Sequence, residues 1–217
     1  MAYIDLLNIK KTYCGKTLFD NFNLSIDTGE FLGILGPSGS GKTTLLNIIG
    51  LITDISSGSV NIDGIKNLKA NSKSALMLRR STIGYLFQNY GLIDDETVSW
   101  NLKLAFEYKK LKKSEKEKRI NKVAEQFKLS DCLNKKIYML SGGQQQRVAV
   151  MRLLLQESRI ILADEPTSSL DKDNEKIIMG ELKRLNDAGI TVIMVTHNRL
   201  LEHYFTRKII LDELMPG

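Results

Sequence analysis

A chain of 217 residues, 42% of them apolar and with a formal charge of +6, suits one domain whose core buries roughly 70% of the surface the unfolded form exposes. Cys14 and Cys132 lie far apart and lack metal-ligand spacing; they read as ordinary thiols in a reducing cytosol, which excludes a disulfide scaffold. The longest apolar stretch, Leu45 to Ile52, is broken by Asn47 and Gly50, far short of the ~20 residues of a membrane span, and no secretory signal opens the chain, so a membrane role is expected to run through a partner.

The first forty residues read as short strands. Phe22, Leu24 and Ile26 alternate with polar residues, Asp27-Thr28-Gly29 marks a turn, and Phe31 to Leu35 reads as a buried strand. A glycine-rich loop follows, then an apolar helix from about Lys42 to Ile49, stopped by Gly50. Ser59 to Ile62 with Asp63-Gly64 predicts a strand and corner. From about Leu102 to Leu133 the chain is charged, helix-prone and free of Pro and Gly, and a helical sub-domain is expected at about 89–156. A lysine-rich run occupies the stretch from Lys103 to Lys136, only partly offset by Glu107, Glu115, Glu117 and Glu125. It fits a solvated helix face, or attraction to anionic headgroups worth about 1 kcal/mol per well-placed cation. Nucleic acid is disfavoured as a partner, because no reader motif or stacking pattern accompanies the lysines. A helix is expected after Ser141, then a strand Ile160 to Ala163, a helix near Asn174 to Leu185 and a strand Ile190 to Val195. Continuous apolar strands alternating with helices predict an α/β fold. Its sheet is largely parallel, with an antiparallel part near the N-terminus, and the whole chain, 1–217, forms one unit.

Gly36-Pro37-Ser38-Gly39-Ser40-Gly41-Lys42-Thr43 matches G-x-x-x-x-G-K-[ST] between a predicted strand and a predicted helix. Glycines let backbone N–H groups approach phosphate oxygens, and the helix N-terminus adds about half a positive charge. Lys42 would hold the β- and γ-phosphates of a nucleotide such as ATP, the Thr43 hydroxyl would sit on Mg²⁺, and Thr44 completes the cradle. Further on, the strand Ile160 to Ala163 runs into Asp164, Glu165 and Pro166. Acidic residues at the carboxyl end of such a strand stand where open α/β sheets bind ligands. Asp164 would help hold Mg²⁺ through water, and Glu165 would polarise the attacking water. Alone, two such carboxylates could equally be helix caps or surface charges.

Leu140-Ser141-Gly142-Gly143-Gln144 carries an S-x-x-Q capping box, which accounts for Ser141 and Gln144. It leaves Gly142 and Gly143 unexplained, since glycine costs a helix start conformational freedom. With the two nucleotide motifs, this string makes the chain resemble the ATP-binding cassette family over nearly its whole length. The resemblance implies a P-loop NTPase core with an antiparallel β part and a helical sub-domain. It also implies an ATP- and Mg²⁺-dependent ATPase that works as a homodimer beneath a separate membrane permease, at the cytoplasmic face of a bacterial plasma membrane.

By that resemblance Ser141, Gly142, Gly143 and Gln144 cap the ATP held by the opposite subunit. Tyr13 stacks on adenine, Gln88 contacts Mg²⁺ and links to the transporter, Ser168 to Asp171 forms a dimer-interface loop, and His197 contacts the γ-phosphate. Each has a plainer alternative: Tyr13 a surface or core aromatic, Gln88 polar surface, His197 an ordinary histidine; His203 has no such setting. Trp100, Tyr85, Tyr90 and Val98 read as packing, or in part as a groove for a helix of the membrane subunit. Gly36 to Gly50, Gln88 to Leu102 and Leu140 to Val150 look most like the short cassettes of the macrolide-exporter and lipoprotein-release group. The middle stretch is similar to cassettes of bacteriocin export or antimicrobial-peptide resistance. Leu211-Asp212-Glu213-Leu214 departs from the Asp-Gly turn and final strand of longer relatives, which leaves a terminal strand open. The expectation is an exporter of peptides, antibiotics or lipophilic compounds. The alternatives are an ATPase that remodels the envelope and a clamp on nucleic acid or ribosomes.

Overall fold

The computed structural model describes residues 3–13, 15–168 and 170–211. Cys14, Ser169 and the departure at Asp212 to Leu214 lie outside the described residues. Two sheets organise the chain. Strands β1 (Ile4–Tyr13) and β2 (Lys16–Ile26) pair antiparallel from Ile4↔Ile26 to Tyr13↔Lys16, and β4 (Ser57–Ile62) pairs on the other edge of β1. They run longer than the short strands expected. The alternation in the sequence sets their inner face: Ile4, Leu6, Leu24, Ile26, Val60 and Ile62 are buried, while Asp5 and Asn61 between them are partly exposed and Ser25 is exposed. After β4, Asp63 and Gly64 both take positive φ (53° and 77°), and Ile62 and Ile65 exchange backbone hydrogen bonds across them at 3.0 Å. That is a two-residue hairpin turn of the primed type.

The second sheet has five parallel strands in the order β5-β6-β7-β3-β8. They are β3 (Phe31–Leu35), β5 (Ile83–Leu86), β6 (Ile160–Asp164), β7 (Thr191–Thr196) and β8 (Arg207–Ile210). Every residue of β3, β6 and β7 is buried, as expected of strands covered on both faces. Their side chains divide by parity. Ile160, Leu162, Ile193 and Val195 join the core under helix α1 (Lys42–Ile49) and the antiparallel sheet. Ile161, Ala163, Val192 and Met194 join the core under helices α5 (Gly142–Gln156) and α6 (Lys172–Asp187).

Three features go beyond the sequence reading. Helix α2 (Lys73–Ser81), capped by the Ser72 hydroxyl on the Ala75 N–H at 3.1 Å, and the four-residue β5 were not anticipated. The charged run is not one helix. Helix α3 (Val98–Lys103) and a 3₁₀ turn Leu104–Phe106 are separated from α4 (Lys113–Gln126) by a non-helical stretch. The reversal lets Val98, Leu102 and Phe106 on one side and Ile120 and Ala124 on the other pack into the same core as α5. Lys109 in that stretch reaches the Leu155 carbonyl near the end of α5 at 3.1 Å. Burial decides the path here, and helix propensity yields to it. Finally, β8 supplies a strand beside β3 that the reading left open.

Candidate functional site

Four parallel strands deliver the candidate residues to one edge of the sheet. β3 ends at Leu35 and leads into the loop Gly36 to Gly41; β5 ends two residues before Gln88; β6 ends at Asp164; β7 ends just before His197. This carboxyl edge is where open α/β sheets take ligands. The loop needs glycine at three positions by conformation, since Gly36, Gly39 and Gly41 sit at φ 152°, 84° and 88°, values that penalise a Cβ. Gly41 is also the N-cap of α1 and offers no capping side chain. The first N–H groups of α1, at Lys42, Thr43 and Thr44, therefore face the loop as an uncapped anion cradle. That cradle fits a nucleotide phosphate.

Lys42 is folded onto its own loop, its ammonium donating to the carbonyls of Gly36 (2.8 Å) and Pro37 (2.7 Å). Thr43 Oγ1 donates to Asp164 Oδ1 at 3.1 Å. These two residues and Gln88 line one cavity of about 420 Å³, together with Asn47, Tyr85 and Phe87. Burial pushes the Asp164 carboxyl above the ordinary aspartate range, opposed by the Thr43 hydrogen bond, with Glu165 adding to the rise and Lys42 opposing it. A hydroxyl, a carboxylate and an amide oxygen form a hard-oxygen donor set that fits a divalent cation such as Mg²⁺. Among the described residues no cluster of three His, Cys, Asp or Glu side chains could hold a metal alone; water and phosphate oxygens would complete the shell of such an ion.

Glu165 departs from ordinary backbone geometry. Its φ is 46°, a left-handed conformation that a non-glycine residue holds only where its surroundings over-determine it. Its N–H donates to Val195 O at 3.0 Å, its carbonyl accepts from Ser168, and its carboxylate meets His197 Nδ1 at 2.9 Å. Gly36, Pro37 and His197 line a neighbouring cavity of about 340 Å³. Lys42, Thr43, Gln88, Asp164, Glu165 and His197 thus occupy one region.

Other candidates stand apart from these two cavities. Tyr13 is 54% exposed at the end of β1, with the Lys11 ammonium 4.7 Å from its ring centroid. Ser141 to Gln144 line neither cavity. Both halves of the capping box are made, Gln144 N–H to Ser141 Oγ at 3.4 Å and Ser141 N–H to Gln144 Oε1 at 3.0 Å. The two glycines also have a packing reason within the chain: a Cβ on Gly142 would stand 3.1 Å from the Tyr90 hydroxyl, and one on Gly143 2.6 Å from Asn174 Nδ2. Asp171 caps α6, accepting from Asn174 N–H at 2.8 Å, and the backbone and side-chain hydrogen bonds of Asn174 lower its pKa.

A cleft of about 1000 Å³ opens between α2, β5 and the start of the helical segment. Ile52, Leu76, Met77, Phe87, Leu104 and Tyr108 line it, each at least 37% exposed. Of the residues singled out from sequence for such a groove, Tyr85 lines it; Val98 is fully buried, and Trp100 and Tyr90 lie outside. Sequence reasoning missed Leu76 and Met77, for which the available signal was an apolar pair facing out on a polar helix. It also missed Asn47, whose Oδ1 accepts from the Tyr85 hydroxyl at 2.8 Å.

The sequence model of the family described as ABC transporter matches residues 19–168. The chain belongs to this family. As an ABC cassette it binds and hydrolyses ATP. It is 34% identical to the bacitracin export ATP-binding protein BceA of Halalkalibacterium halodurans, over 98% of this chain and 86% of that one. It is 40% identical to the macrolide export ATP-binding/permease protein MacB of Neisseria gonorrhoeae, over 91% of this chain but 31% of that protein's length. Among solved structures, the cassette MJ0796, a dimer in a post-hydrolysis state bound to ADP and Pi, superposes with a TM-score of 0.87 at 40% identity, covering 95% of this chain and 93% of that one. The expected cassette fold and the resemblance to the macrolide-exporter group therefore hold, and a relative named for bacitracin export agrees with the expected likeness to antimicrobial-peptide cassettes. Among the described residues no helix is long and apolar enough to cross a membrane.

Proposed function

We propose that the chain is the ATPase of an exporter of peptides, antibiotics or lipophilic compounds, acting as a homodimer on a separate permease at the cytoplasmic face of the membrane. The convergence of Lys42, Thr43, Gln88, Asp164, Glu165 and His197 at one sheet edge carries the catalytic part of this reading. Relatives named for bacitracin and macrolide export support the transport part.

In this reading the amides of Gly36 to Thr44 cradle the phosphates. Lys42 exchanges its two loop carbonyls for phosphate oxygens, so nucleotide entry unlocks the loop. Thr43, Gln88 and Asp164 would hold Mg²⁺, which would offset the charge of the phosphates. Glu165, steadied by His197, accepts a hydrogen bond from water in line with the γ-phosphate, and His197 contacts the γ-phosphate. Tyr13 stacks on the adenine. Ser141, Gly142, Gly143 and Gln144 contact the nucleotide of the second copy, so two ATP molecules close two chains. The cleft lined by Leu76, Met77 and Tyr108 seats a helix of the permease.

Steady-state ATPase measurement tests the chemistry. Glu165→Gln keeps the side chain's size and removes the base, and kcat should fall by ~10²-fold or more with ATP affinity retained. Undiminished turnover would contradict the role given to Glu165.

A further inference from the structure

Gln146 is the one polar side chain of α5 that is wholly buried, 1% exposed amid Val148, Ala149, Val150 and Met151. Its Nε2 donates to the Pro166 carbonyl at 2.7 Å. A proline carbonyl only accepts, so the amide cannot be turned the other way. Its Oε1 is buried without a hydrogen-bond partner among the described residues. An orphaned acceptor costs stability that a leucine there would not. The contact with Pro166 is what the amide adds.

Pro166 follows Glu165, whose left-handed backbone must be held from outside. Val195 holds the Glu165 N–H from β7, and Ser168 holds its carbonyl from downstream. Gln146 grips the next carbonyl from α5. It stands five residues after Ser141, roughly 7.5 Å along the helix axis. A Cβ on Gly143 would stand 2.6 Å from Asn174, so the same helix start also lies close to α6, the helix that follows the Glu165 turn.

We infer that Gln146 is a positioning residue, tying the helix that begins at Ser141 to the turn that carries Glu165. The inference rests on the roles proposed above for Glu165 and for Ser141 to Gly143. The helix start that meets the second copy's nucleotide thereby sets the carboxylate at this chain's own nucleotide. Arrival of the second chain is registered at the attacking water through a rigid helix and one hydrogen bond.

Gln146→Met and Gln146→Leu keep the bulk of the side chain and remove the donor. Both are to be assayed beside wild type and Glu165→Gln for kcat, KM for ATP, melting temperature and hydrogen exchange of the 164–168 segment with ATP and Mg²⁺. The expected result is a kcat at least 10-fold lower, a KM within twofold of wild type and a melting temperature not reduced. Exchange at 164–168 should be at least 10-fold faster while α5 keeps its protection, a readout independent of turnover. Wild-type kcat together with wild-type exchange in both variants overturns the inference. So does a loss of kcat accompanied by a lower melting temperature and faster exchange throughout α5, which marks a packing role. Full turnover in Glu165→Gln would instead remove the role of Glu165, an outcome separate from full turnover in the Gln146 variants alone.

Discussion

Asp164 occupies the last position of β6, where burial holds its carboxyl above the ordinary aspartate range. An acid whose folded pKa is raised binds its proton more tightly in the native state. Its contribution to stability is therefore complete below the ordinary aspartate value and is lost as pH rises through the raised one. At neutral pH the charge thus strains the fold, and a cation beside it relieves that strain. Asp164→Asn keeps an acceptor for Thr43 and removes the charge. Its melting temperature in metal-free buffer at pH 7 should exceed that of wild type, by scanning fluorimetry, while ATPase is lost. A lower melting temperature would mean that Asp164 is already compensated. Lys42, Thr43 and Asp164 were legible as candidates because their chemistry depends on residue type and short spacing. The left-handed backbone of Glu165 and the grip of Gln146 on Pro166 were not, since a dihedral angle and a contact across 20 residues leave no local pattern.

At the scale of elements, α5 was readable because Ser141 and Gln144 announce its start, and both hydrogen bonds form. The Ser141 half is the longer of the two, 3.4 Å against 3.0 Å. Ser141→Ala should therefore cost near the lower end of the ~0.5–2 kcal/mol of a lost cap, read as the shift in the urea midpoint of the isolated chain. A larger loss would show that Ser141 holds more than its helix. β3, β6 and β7 were legible as continuous apolar runs, and α1 because Gly50 follows it. β5 was missed because four residues, one of them Gly84, are too few to show a period. The break before α4 was missed because neither Pro nor Gly marks it. At the other end of α4, Lys128 adopts the left-handed φ of 55° that glycine usually supplies after a helix.

For the whole molecule, the placement of two cavities matters more than either alone. Ile52, Tyr85 and Phe87 line both the apolar cleft and the cavity of Thr43, Gln88 and Asp164. Tyr85 and Phe87 are stacked with centroids 4.1 Å apart, so a thin aromatic wall separates the two. On the function proposed above, a permease helix in the cleft presses on the wall of the nucleotide site, a direct route for coupling. The layering behind this arrangement was legible from alternation and apolar runs. The cleft was not, because it forms between α2, β5 and Tyr108, elements whose packing no local signal reports. Closing two chains around two nucleotides requires about 5.5 kcal/mol of differential binding to move from 1:99 to 99:1. Two buried, multiply contacted triphosphates can supply that. The most direct measurement is the light-scattering mass of purified Glu165→Gln at saturating ATP and Mg²⁺, where hydrolysis cannot reopen a closed pair. The expected mass is twice the 24.5 kDa of one chain, reverting to a single chain when nucleotide is removed. A monomer under those conditions, with or without a membrane partner, would contradict the two-chain clamp.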